Sequence, residues 1–447
     1  MLSHFLFESS VRGDQTAVVT RVAATSWSEL GLQTQAIFDQ QSSLQNRRIG
    51  LSFRALAKSY AALAALERLK CDVFLLDGSL DRERALDYCK KFRLGAFLVP
   101  TDDKTSVDIC ELKDEAEASG PGSITILTSG STGAPKAARH TWEGIARPIR
   151  RMSDGTFPVW LLTYRPQLYA GLQVSLQCLA DHGTLVIPDS DMEPRGIVEL
   201  MVRTGVQYIS ATPSFWRRLL MFSDGEHLRK VPLRQITLGG EIVDQAVLSK
   251  LERVYPAARL VHIYATTELG RCFSVGDGLA GFPARYLDGP LPDGVELKVE
   301  DGELLVRSSN AMQMYDPLSA VPSPTSDWFF TGDLVDIRGE RVIFSGRKSD
   351  MINVAGSKVY PVEVERVILA VPGVADARVY GKASSIAGEL VVCDVVAESN
   401  VDPKTLREQI LSACRAKLTS PQLPRLIKFV DKIELSQAGK TLRSKSA

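Results

Sequence analysis

Short apolar runs alternate with helical stretches in the first hundred residues of the chain. Residues Leu56 to Leu69 have helical spacing, and the apolar run Cys71 to Leu76 follows them. A second helical stretch spans residues 81–92 and leads into a strand-like run at 96–99. Four further strand-like runs come later, at residues 184–187, 208–210, 235–238 and 260–263. Because parallel strands need long crossovers, usually helices, this alternation predicts a parallel β-sheet covered by helices.

The pattern changes after about Asp288, where short strands and tight turns replace the alternation. Asp301-Gly302, between two apolar runs, predicts a β-hairpin. The last hundred residues contain three strand-like runs and a helical stretch from Pro403 to Lys417, which indicates a separate α+β unit. We therefore expect a large α/β N-terminal domain of parallel-sheet layers plus a small β-rich subdomain, and a small α+β C-terminal domain. Residues 101–122 are rich in Asp, Glu and Ser and are expected to be a surface connection.

Composition limits the class of protein. The chain has 447 residues, 45% hydrophobic and 24% charged, which is enough to bury the cores of two or three domains. Lys plus Arg and Asp plus Glu each number 53, so the net charge is zero, and we expect no nucleic-acid partner. No apolar run has the length of a membrane span and the first residues lack a basic signal start, so we expect no membrane insertion. The sequence does not distinguish a monomer from a homodimer.

The cysteines and histidines show no metal-binding pattern. Seven cysteines are scattered without a C-x-x-C pair, and five histidines are scattered without H-x-x-x-H. An odd, unpatterned set of cysteines is typical of reduced thiols, so we expect a cytoplasmic protein. A zinc site is not expected.

The segment Ile126 to Lys136 reads ILTSGSTGAPK, in which an apolar strand leads into a loop of hydroxyls and glycines. Gly130 and Gly133 lack a Cβ, so backbone N–H groups can approach phosphate oxygens. The loop also offers four hydroxyl donors, Thr128, Ser129, Ser131 and Thr132. It is not the Walker loop, because Gly133 is followed by Ala-Pro-Lys. The segment predicts a phosphate or nucleotide site, and the alternative is a polar surface loop.

Residues Ile263 to Gly270 read IYATTELG and follow an apolar strand. Tyr264 could stack on a base, Thr267 could donate to a phosphate, and Glu268 offers an oxygen ligand for Mg²⁺. The alternative is a helix N-terminus that Thr266 or Thr267 caps, with Glu268 near the positive end of the helix dipole. The motif by itself favours neither interpretation.

Two further turns have the chemistry of a nucleoside site. In WFFTGDL, residues 328–334, Asp333 can accept hydrogen bonds from two ribose hydroxyls, whereas Gly-Asp more commonly forms a capped turn. Gly239-Gly240-Glu241 follows a strand and would let a planar base lie against bare backbone, although Gly-Gly turns are common.

The last two segments combine cations with glycines. Residues 346–365 contain Arg347, Lys348 and Gly356 before a helix that is predicted to begin at Pro361. Near the C-terminus Lys440 follows a glycine in QAGKTLR, which is typical of a mobile-loop lysine or of a frayed basic tail.

In this order and at these intervals, the segments resemble the adenylate-forming superfamily of acyl- and aryl-CoA synthetases, nonribosomal adenylation domains and luciferases. The resemblance covers residues 124–443. It implies a large N-terminal domain at residues 1–346, a hinge at 347–349 and a small, mobile lid domain at 350–447.

The resemblance also implies a role for each matching residue. The residues that would bind the ATP phosphates are Thr128, Ser129, Gly130, Ser131, Thr132, Gly133 and Lys136. Those that would surround the adenine are Gly239, Gly240, Glu241 and Tyr264, those that would hold the ribose are Asp333 and Arg347, and Ala265 and Thr266 would also belong to the cofactor site. Thr267 would contact the α-phosphate, Glu268 would hold Mg²⁺, and Lys440 would enter the site for adenylation. Gly356 would open a path for a pantetheine thiol.

The implied function is an ATP-dependent ligase. It would activate a small carboxylic acid, aromatic or short to medium acyl, as the acyl-adenylate and pass it to a thiol, with CoA as the expected acceptor. The alternatives are the phosphopantetheine of a carrier protein, a nitrogen nucleophile, or a catalytically silent nucleotide-binding regulator. Ala265 stands where the family usually has glycine, which favours a flat or slim acid, and the Phe-Asp pair that would bind an α-amino acid is missing. Arg165 and Tyr169 are polar candidates near the mouth of the acid pocket.

Overall fold

The structure is a computed structural model. It describes residues 2, 6, 12–21, 23–54, 57–101, 107–113, 122–128, 136–152, 155–223, 225–319, 326–384, 388–398, 401–435 and 441.

The strands and helices of these residues are numbered here in chain order. The strands are β1 Thr16–Val19, β2 Ala24–Ser26, β3 Arg48–Phe53, β4 Asp72–Asp77, β5 Ala96–Pro100, β6 Val107–Glu111, β7 Ser123–Thr128, β8 Lys136–His140, β9 Val159–Leu162, β10 Thr184–Val186, β11 Tyr208–Ala211, β12 Gln235–Gly239, β13 Arg259–Thr266, β14 Gly270–Val275, β15 Phe282–Pro283, β16 Val295–Glu300, β17 Glu303–Ser308, β18 Met314–Tyr315, β19 Phe329–Arg338, β20 Arg341–Arg347, β21 Ile352–Val354, β22 Ser357–Val359, β23 Val374–Ser384, β24 Gly388–Ala397 and β25 Leu426–Phe429. The helices are α1 Trp27–Gln40, α2 Ala57–Arg68, α3 Arg82–Lys91, α4 Trp142–Ala146, α5 Tyr169–Ala180, α6 Pro194–Thr204, α7 Pro213–Phe222, α8 Gly225–Arg229, α9 Gln245–Val254, α10 Pro361–Leu369 and α11 Pro403–Lys417. Short 3₁₀ turns lie at Ser42–Leu44, Ala284–Leu287, Pro292–Gly294, Lys348–Asp350 and Ser420–Gln422.

Two large sheets form the N-terminal part of the chain. The first has the order β14-β13-β12-β11-β9-β10-β1-β2, and its six inner strands are parallel. The second has the order β18-β8-β7-β4-β3-β5-β6, with β7, β4, β3 and β5 parallel. The antiparallel strands stand at the edges of both sheets. The alternation of strands and helices in the sequence therefore gives the predicted parallel-sheet layers.

Helices α1, α2 and α5 join the two sheets in one hydrophobic core. Every residue of α2 from Ala57 to Leu66 is buried, because its many alanines let both sheets and the neighbouring helices approach closely. The Tyr60 hydroxyl on α2 lies 2.8 Å from Ser175 Oγ on α5. Helices α6, α7 and α9 cover the outer face of the first sheet, and α3 covers the outer face of the second.

One expectation for this part of the chain was wrong. The segment expected to be a surface connection contains β6, which pairs antiparallel with β5 from Ala96↔Glu111 to Pro100↔Val107. Acidic residues hid this strand in the sequence, and charged side chains are a common way to protect a sheet edge.

A five-stranded antiparallel sheet forms the β-rich subdomain, in the order β15-β20-β19-β17-β16. Asp301 and Gly302, with φ of 49° and 75°, make the two-residue turn between β16 and β17. Two successive residues with positive φ are typical of a type I′ hairpin, as the sequence predicted.

The C-terminal unit has its own core. Strands β22-β21-β24-β23 form a sheet, β25 adds to β24 in parallel, and α10 and α11 cover it. Helix α10 begins at Pro361 and α11 spans Pro403–Lys417, both as predicted. Asp402 caps α11 by accepting a hydrogen bond from the backbone N–H of Thr405.

Six of the seven cysteines are buried, and Cys110 on β6 is partly exposed. Burial raises the pKa of Cys89 to about 12 and that of Cys414 to about 11. It also raises the pKa of Cys178, Cys272 and Cys393. Within the described part of the chain, no helix is long and apolar enough to cross a membrane.

Candidate active site

A cavity of about 1330 Å³ lies between the first sheet, the β-rich subdomain and the C-terminal unit. The carboxyl ends of the parallel strands β11, β12 and β13 open into it, which is where open α/β sheets bind ligands. The predicted site residues that line it are Thr128, Lys136, Gly239, Gly240, Glu241, Tyr264, Ala265, Thr266, Thr267, Glu268, Asp333 and Arg347. The fold thus brings together motifs that are far apart in the sequence.

The predicted phosphate loop connects two antiparallel strands. Thr128 ends β7, Lys136 begins β8, and these two residues pair across the hairpin. Both line the cavity. The predicted phosphate-binding residues Ser129, Gly130, Ser131, Thr132 and Gly133 lie outside the described residues. Both ends of the predicted phosphate loop therefore lie at the wall of the cavity.

Glu268 lies beside Lys136 at this end of the cavity, and a tyrosine joins them. The Tyr315 hydroxyl donates to Glu268 Oε1 at 3.1 Å, and the Lys136 ammonium lies 5.9 Å from the centre of the Tyr315 ring. Burial and then the charge of Glu268 raise the pKa of Tyr315, so the hydroxyl stays a donor. Glu268 Oε2 accepts no hydrogen bond from the described residues, and the role of Glu268 in holding Mg²⁺ stays a prediction.

Tyr315 escaped the sequence analysis, because a single Tyr-Asp pair carries no recognisable pattern. A buried network of charges fixes its position. Asp316, the next residue, pairs with Arg48 at 2.9 Å, while Arg139 on β8 pairs with Asp72 at 3.0 Å and Arg48 lies 3.8 Å from the same aspartate. Two cations and two anions are thus buried together next to Tyr315 in the sequence and to β8, which Lys136 begins.

The segment IYATTELG forms a strand end and a turn. Tyr264, Ala265 and Thr266 end β13, and the chain turns back into the antiparallel β14. The alternative of a helix N-terminus was wrong, since the strand β14 follows and pairs antiparallel with β13. Thr266 Oγ1 accepts the backbone N–H of Leu269 at 3.1 Å and closes this turn.

A buried histidine, His140, is hydrogen-bonded to the backbone of the same turn. His140 Nε2 lies 2.8 Å from the carbonyl oxygen of Thr267, and because a carbonyl only accepts, Nε2 is the protonated nitrogen. Burial lowers the pKa of His140 to about 4, so the ring is neutral at ordinary pH. His140 therefore fixes the backbone between Thr267 and Glu268 without adding charge.

Asp333 is hydrogen-bonded to two other residues of the predicted nucleoside site, Tyr264 and Arg347. The Tyr264 hydroxyl donates to Asp333 Oδ2 at 2.6 Å, and Arg347 Nε donates to Asp333 Oδ1 at 2.6 Å. The Tyr264 ring lies 5.2 Å from that of Phe273 and 5.3 Å from that of Phe344. A carboxylate can accept about four hydrogen bonds, so Asp333 keeps capacity for a ribose. Its ribose contact stays a prediction.

The Gly-Gly-Glu turn follows β12 directly. Gly239 ends the strand, and a Cβ placed on it would be in ordinary van der Waals contact with the carbonyl oxygen of Ile263 at 3.5 Å. Gly240 has a φ of 82°, which favours glycine. Both oxygens of Glu241 accept hydrogen bonds from the protein, from Ser214 on α7 and from Thr441 near the C-terminus.

The other end of the cavity has aromatic side chains beside polar residues of the strands. Trp160 on β9 and Tyr208 on β11 stack with ring centres 5.1 Å apart, and both line the cavity. Along β12 the lining continues from Gly239 back to Gln235, a depth of about 13 Å at the usual rise of a strand. Of the two polar candidates, Tyr169 lines the cavity, whereas Arg165 is bonded to Asp77 and is not among the lining residues.

Two predicted residues are not placed at the cavity. Gly356 makes the turn between β21 and β22 with a φ of 86°, is exposed, and is not among the lining residues. Its backbone N–H donates to Asn353 Oδ1 at 2.9 Å. Lys440 lies outside the described residues, but Thr441, which follows it in the sequence, reaches the cavity wall.

Known proteins are similar to this chain in sequence and in fold. The AMP-binding enzyme family matches residues 59–316, and the AMP-binding enzyme C-terminal domain matches residues 363–440. The long-chain-fatty-acid–CoA ligase FadD13 of Mycobacterium tuberculosis is 27% identical over 347 residues, which are 73% of this chain and 68% of that protein. A 2-succinylbenzoate–CoA ligase of Listeria monocytogenes is 28% identical over 340 residues, which are 72% of this chain and 68% of that protein.

Solved structures show the same fold at lower identity. The anthranilate CoA ligase AuaEII in complex with anthranoyl-AMP superposes with a TM-score of 0.81 at 17% identity, over 98% of this chain and 95% of that one. ATP-bound MatB from Rhodopseudomonas palustris superposes with a TM-score of 0.74 at 20% identity, over 99% and 97% of the two chains. The resemblance found in the motifs is confirmed by the family match: the chain belongs to the AMP-binding enzymes.

Proposed function

We propose that this enzyme uses ATP to activate a small carboxylic acid, aromatic or short to medium acyl, as its acyl-adenylate. It then transfers the acyl group to a thiol, with CoA as the favoured acceptor. The division into a domain at residues 1–346, a hinge at 347–349 and a lid at 350–447 is part of this proposal.

The observation that carries the proposal is one cavity with two chemically different ends. Lys136, Glu268 and Tyr315 stand at one end, where a triphosphate needs a cation and a metal ligand. Trp160 and Tyr208 stand at the other end, where their stacked rings suit an acyl or aryl group. A nucleotide and an acid bound in this cavity would meet near the carboxyl ends of β12 and β13.

The charges suit the chemistry of adenylation. A carboxylate and a triphosphate repel each other, so the reaction needs positive charge where the α-phosphate is attacked. Lys136 supplies one charge, Lys440 would supply a second, and Mg²⁺ would neutralise phosphate oxygens. The described residues contain no group of three or more acids, histidines or cysteines that could hold a metal alone. Glu268 with its unpaired Oε2 would therefore share Mg²⁺ with phosphate oxygens and water.

The relatives support CoA as the acceptor and an aromatic acid as one candidate. The names of the relatives reported above include a long-chain fatty acid and 2-succinylbenzoate, each joined to CoA. Anthranoyl-AMP in the solved structure is an aromatic acyl-adenylate. The stacked rings of Trp160 and Tyr208 support a flat acid. Ala265, at the end of β13, adds one methyl group to the cavity wall and so narrows the cavity there.

Adenylation is tested by acid-dependent exchange of pyrophosphate into ATP, over a panel of aromatic, short and medium-chain acids. We expect exchange with a subset of these acids, and Lys136→Ala and Lys440→Ala should reduce it. Absence of acid-dependent exchange with every acid would refute the ligase and leave the silent nucleotide-binding alternative.

The acceptor needs a second experiment with the acids that support exchange. CoA, a pantetheinylated carrier protein and simple amines are offered in parallel, and the acylated product is identified by mass spectrometry. Preferred thioester formation with CoA is the expected result. Product formation only with the carrier protein or with an amine would replace CoA in the proposal and leave the adenylation step intact.

A further inference from the structure

Glu241 is bound from two sides of the molecule. On one side α7 holds it: the backbone N–H of Ser214 donates to Glu241 Oε2 at 3.0 Å, and Ser214 Oγ donates to Glu241 Oε1 at 3.0 Å. Ser214 lies in the first turn of α7, where backbone N–H groups have no partner within the helix. The Glu241 carboxylate accepts a hydrogen bond from one of these free N–H groups. The contacts within the large domain are therefore enough to fix its position.

On the other side the C-terminal segment reaches the same carboxylate. The backbone N–H of Thr441 donates to Glu241 Oε1 at 2.7 Å, and Thr441 Oγ1 lies 3.1 Å from Ser214 Oγ. Thr441 also pairs with Leu435 in an antiparallel bridge, so this point of the chain is tied to the C-terminal unit as well. Glu241 is therefore a fixed acceptor that joins the large domain to the residue directly after Lys440.

A second contact between the domains lies on the same helix. Arg217, one turn further along α7, pairs with Asp244 of the large domain and lies 3.8 Å from Asp376 on β23 of the C-terminal unit. The side chains of Arg217 and Asp376 are only 12% and 16% exposed, so the contact is enclosed by both domains. Helix α7 is thus one of the surfaces of the large domain that the C-terminal unit contacts.

These contacts give the side chain of Glu241 a role in addition to the predicted place of its turn at the adenine. Its two oxygens already accept three hydrogen bonds from Ser214 and Thr441, and its side chain is directed at the C-terminal segment. We propose that Glu241 is a positioning residue for adenylation, because it anchors the backbone of Thr441, the residue directly after the predicted adenylation lysine, Lys440. This inference rests on the proposed adenylation activity.

The anchor is tested first without any activity. Trypsin cleaves after lysine, and the bond after Lys440 carries the amide nitrogen that Glu241 binds. In the full-length protein we expect Glu241→Ala to speed cleavage of the Lys440–Thr441 bond at least about tenfold, as for the loss of one charge-assisted hydrogen bond. Thr441→Ala keeps the N–H and is the matched control, with a smaller effect. Equal cleavage of Glu241→Ala and the wild type would overturn the anchor even if the enzyme had no ligase activity.

The catalytic use of the anchor is tested by separating the two half-reactions. Glu241→Ala and Thr441→Pro, which removes the N–H, should each lower kcat of pyrophosphate exchange at least about tenfold. KM for ATP and acyl transfer from supplied acyl-adenylate should stay within about twofold, because only the adenylation geometry is lost. The double variant should be no slower than the slower single variant, since both remove one contact.

Three results of the kinetic experiment would overturn the inference. A raised KM for ATP with unchanged kcat would show that Glu241 binds the nucleotide. An equal loss in both half-reactions, with thermal unfolding shifted as well, would show a structural role. Full exchange activity in Thr441→Pro would show that the anchor has no catalytic use. Absence of exchange in the wild type would instead refute the proposed function, and the proteolysis result would still decide the anchor.

Discussion

Docking of the C-terminal unit on α7 should weaken as the pH rises, because of Asp376. Burial raises the pKa of this carboxyl to about 6, although Arg217 faces it. Arg217 is bonded more closely to Asp244, so it offsets only part of the cost of burying Asp376. Glu241 from the large domain and Glu365 from the C-terminal unit add negative charge on either side.

The direction and the size of this pH dependence follow from the difference in the pKa of Asp376 between the docked and the undocked states. A carboxyl group whose pKa is higher in the docked state stabilises docking fully below pH about 4, and this stabilisation is lost as the pH rises through about 6. A shift of about two units corresponds to about 3 kcal/mol, of which roughly half is already lost at pH 5. Docking should therefore weaken about tenfold between pH 5 and pH 8 in the wild type. Asp376→Asn has no charge to bury and should show no such change.

The docking constant can be measured by energy transfer between dyes on the two domains. Cys110 takes one dye and Ser412→Cys, on the exposed side of α11, takes the other, while urea below the unfolding transition separates the domains. Glu408→Gln makes the same change of charge on the exposed side of α11 and should behave like the wild type. If Asp376→Asn showed the same pH dependence as the wild type, Asp376 would not be the buried group that titrates.

Three further changes test the site. Tyr315→Phe removes the hydrogen bond to Glu268 and should slow pyrophosphate exchange about ten- to hundredfold, since such a bond to a carboxylate contributes about 1.5–3 kcal/mol; an unchanged rate would separate Tyr315 from the reaction. Asp316→Ala leaves Arg48 buried without this partner and should lower the free energy of unfolding in urea by about 3–5 kcal/mol, and a loss below about 1 kcal/mol would contradict the buried network. Ala265→Gly should raise kcat/KM for branched or bulky acids about tenfold relative to flat ones, in line with about 1–3 kcal/mol for a methylene group in a tight pocket, and an unchanged preference would remove Ala265 from the acid pocket.

The parts of the site that the sequence predicted share one property: they end strands. Gly239 and Thr266 stand at the carboxyl ends of β12 and β13, and Thr128 ends β7. An apolar run followed by glycines and hydroxyls is visible in a sequence, and the edge at which parallel strands end is fixed by the topology. The layers, the type I′ hairpin and the start of α10 could be predicted for the same local reasons.

The parts that the sequence did not predict depend on partners far along the chain. Tyr315 matters because Arg48, 267 residues earlier, pairs with its neighbour Asp316 and because Glu268 meets its hydroxyl. Glu241 was predicted at the adenine from its Gly-Gly turn, whereas the hydrogen bonds of its carboxylate with Ser214 and with Thr441, 200 residues away, were not predicted. Strand β6 was missed because its acidic residues resemble a loop. No local pattern records these pairings, since each depends on the assembled fold.

The buried cysteines have a consequence for an enzyme of the proposed kind. An acyl-adenylate is an electrophile that acylates thiolates, and an intermediate that escapes from the cavity meets the protein that made it. Cys89, Cys178, Cys272, Cys393 and Cys414 are buried and their pKa values are raised, so they present almost no thiolate to it.

Cys110 is the exception, because it lies partly exposed on the edge strand β6. Acyl groups that collect on this cysteine during turnover would record how much adenylate leaves the enzyme before the acceptor takes it. Acylation of Cys110 would thus report the escape of acyl-adenylate from the enzyme. The buried thiols would contribute little to this signal.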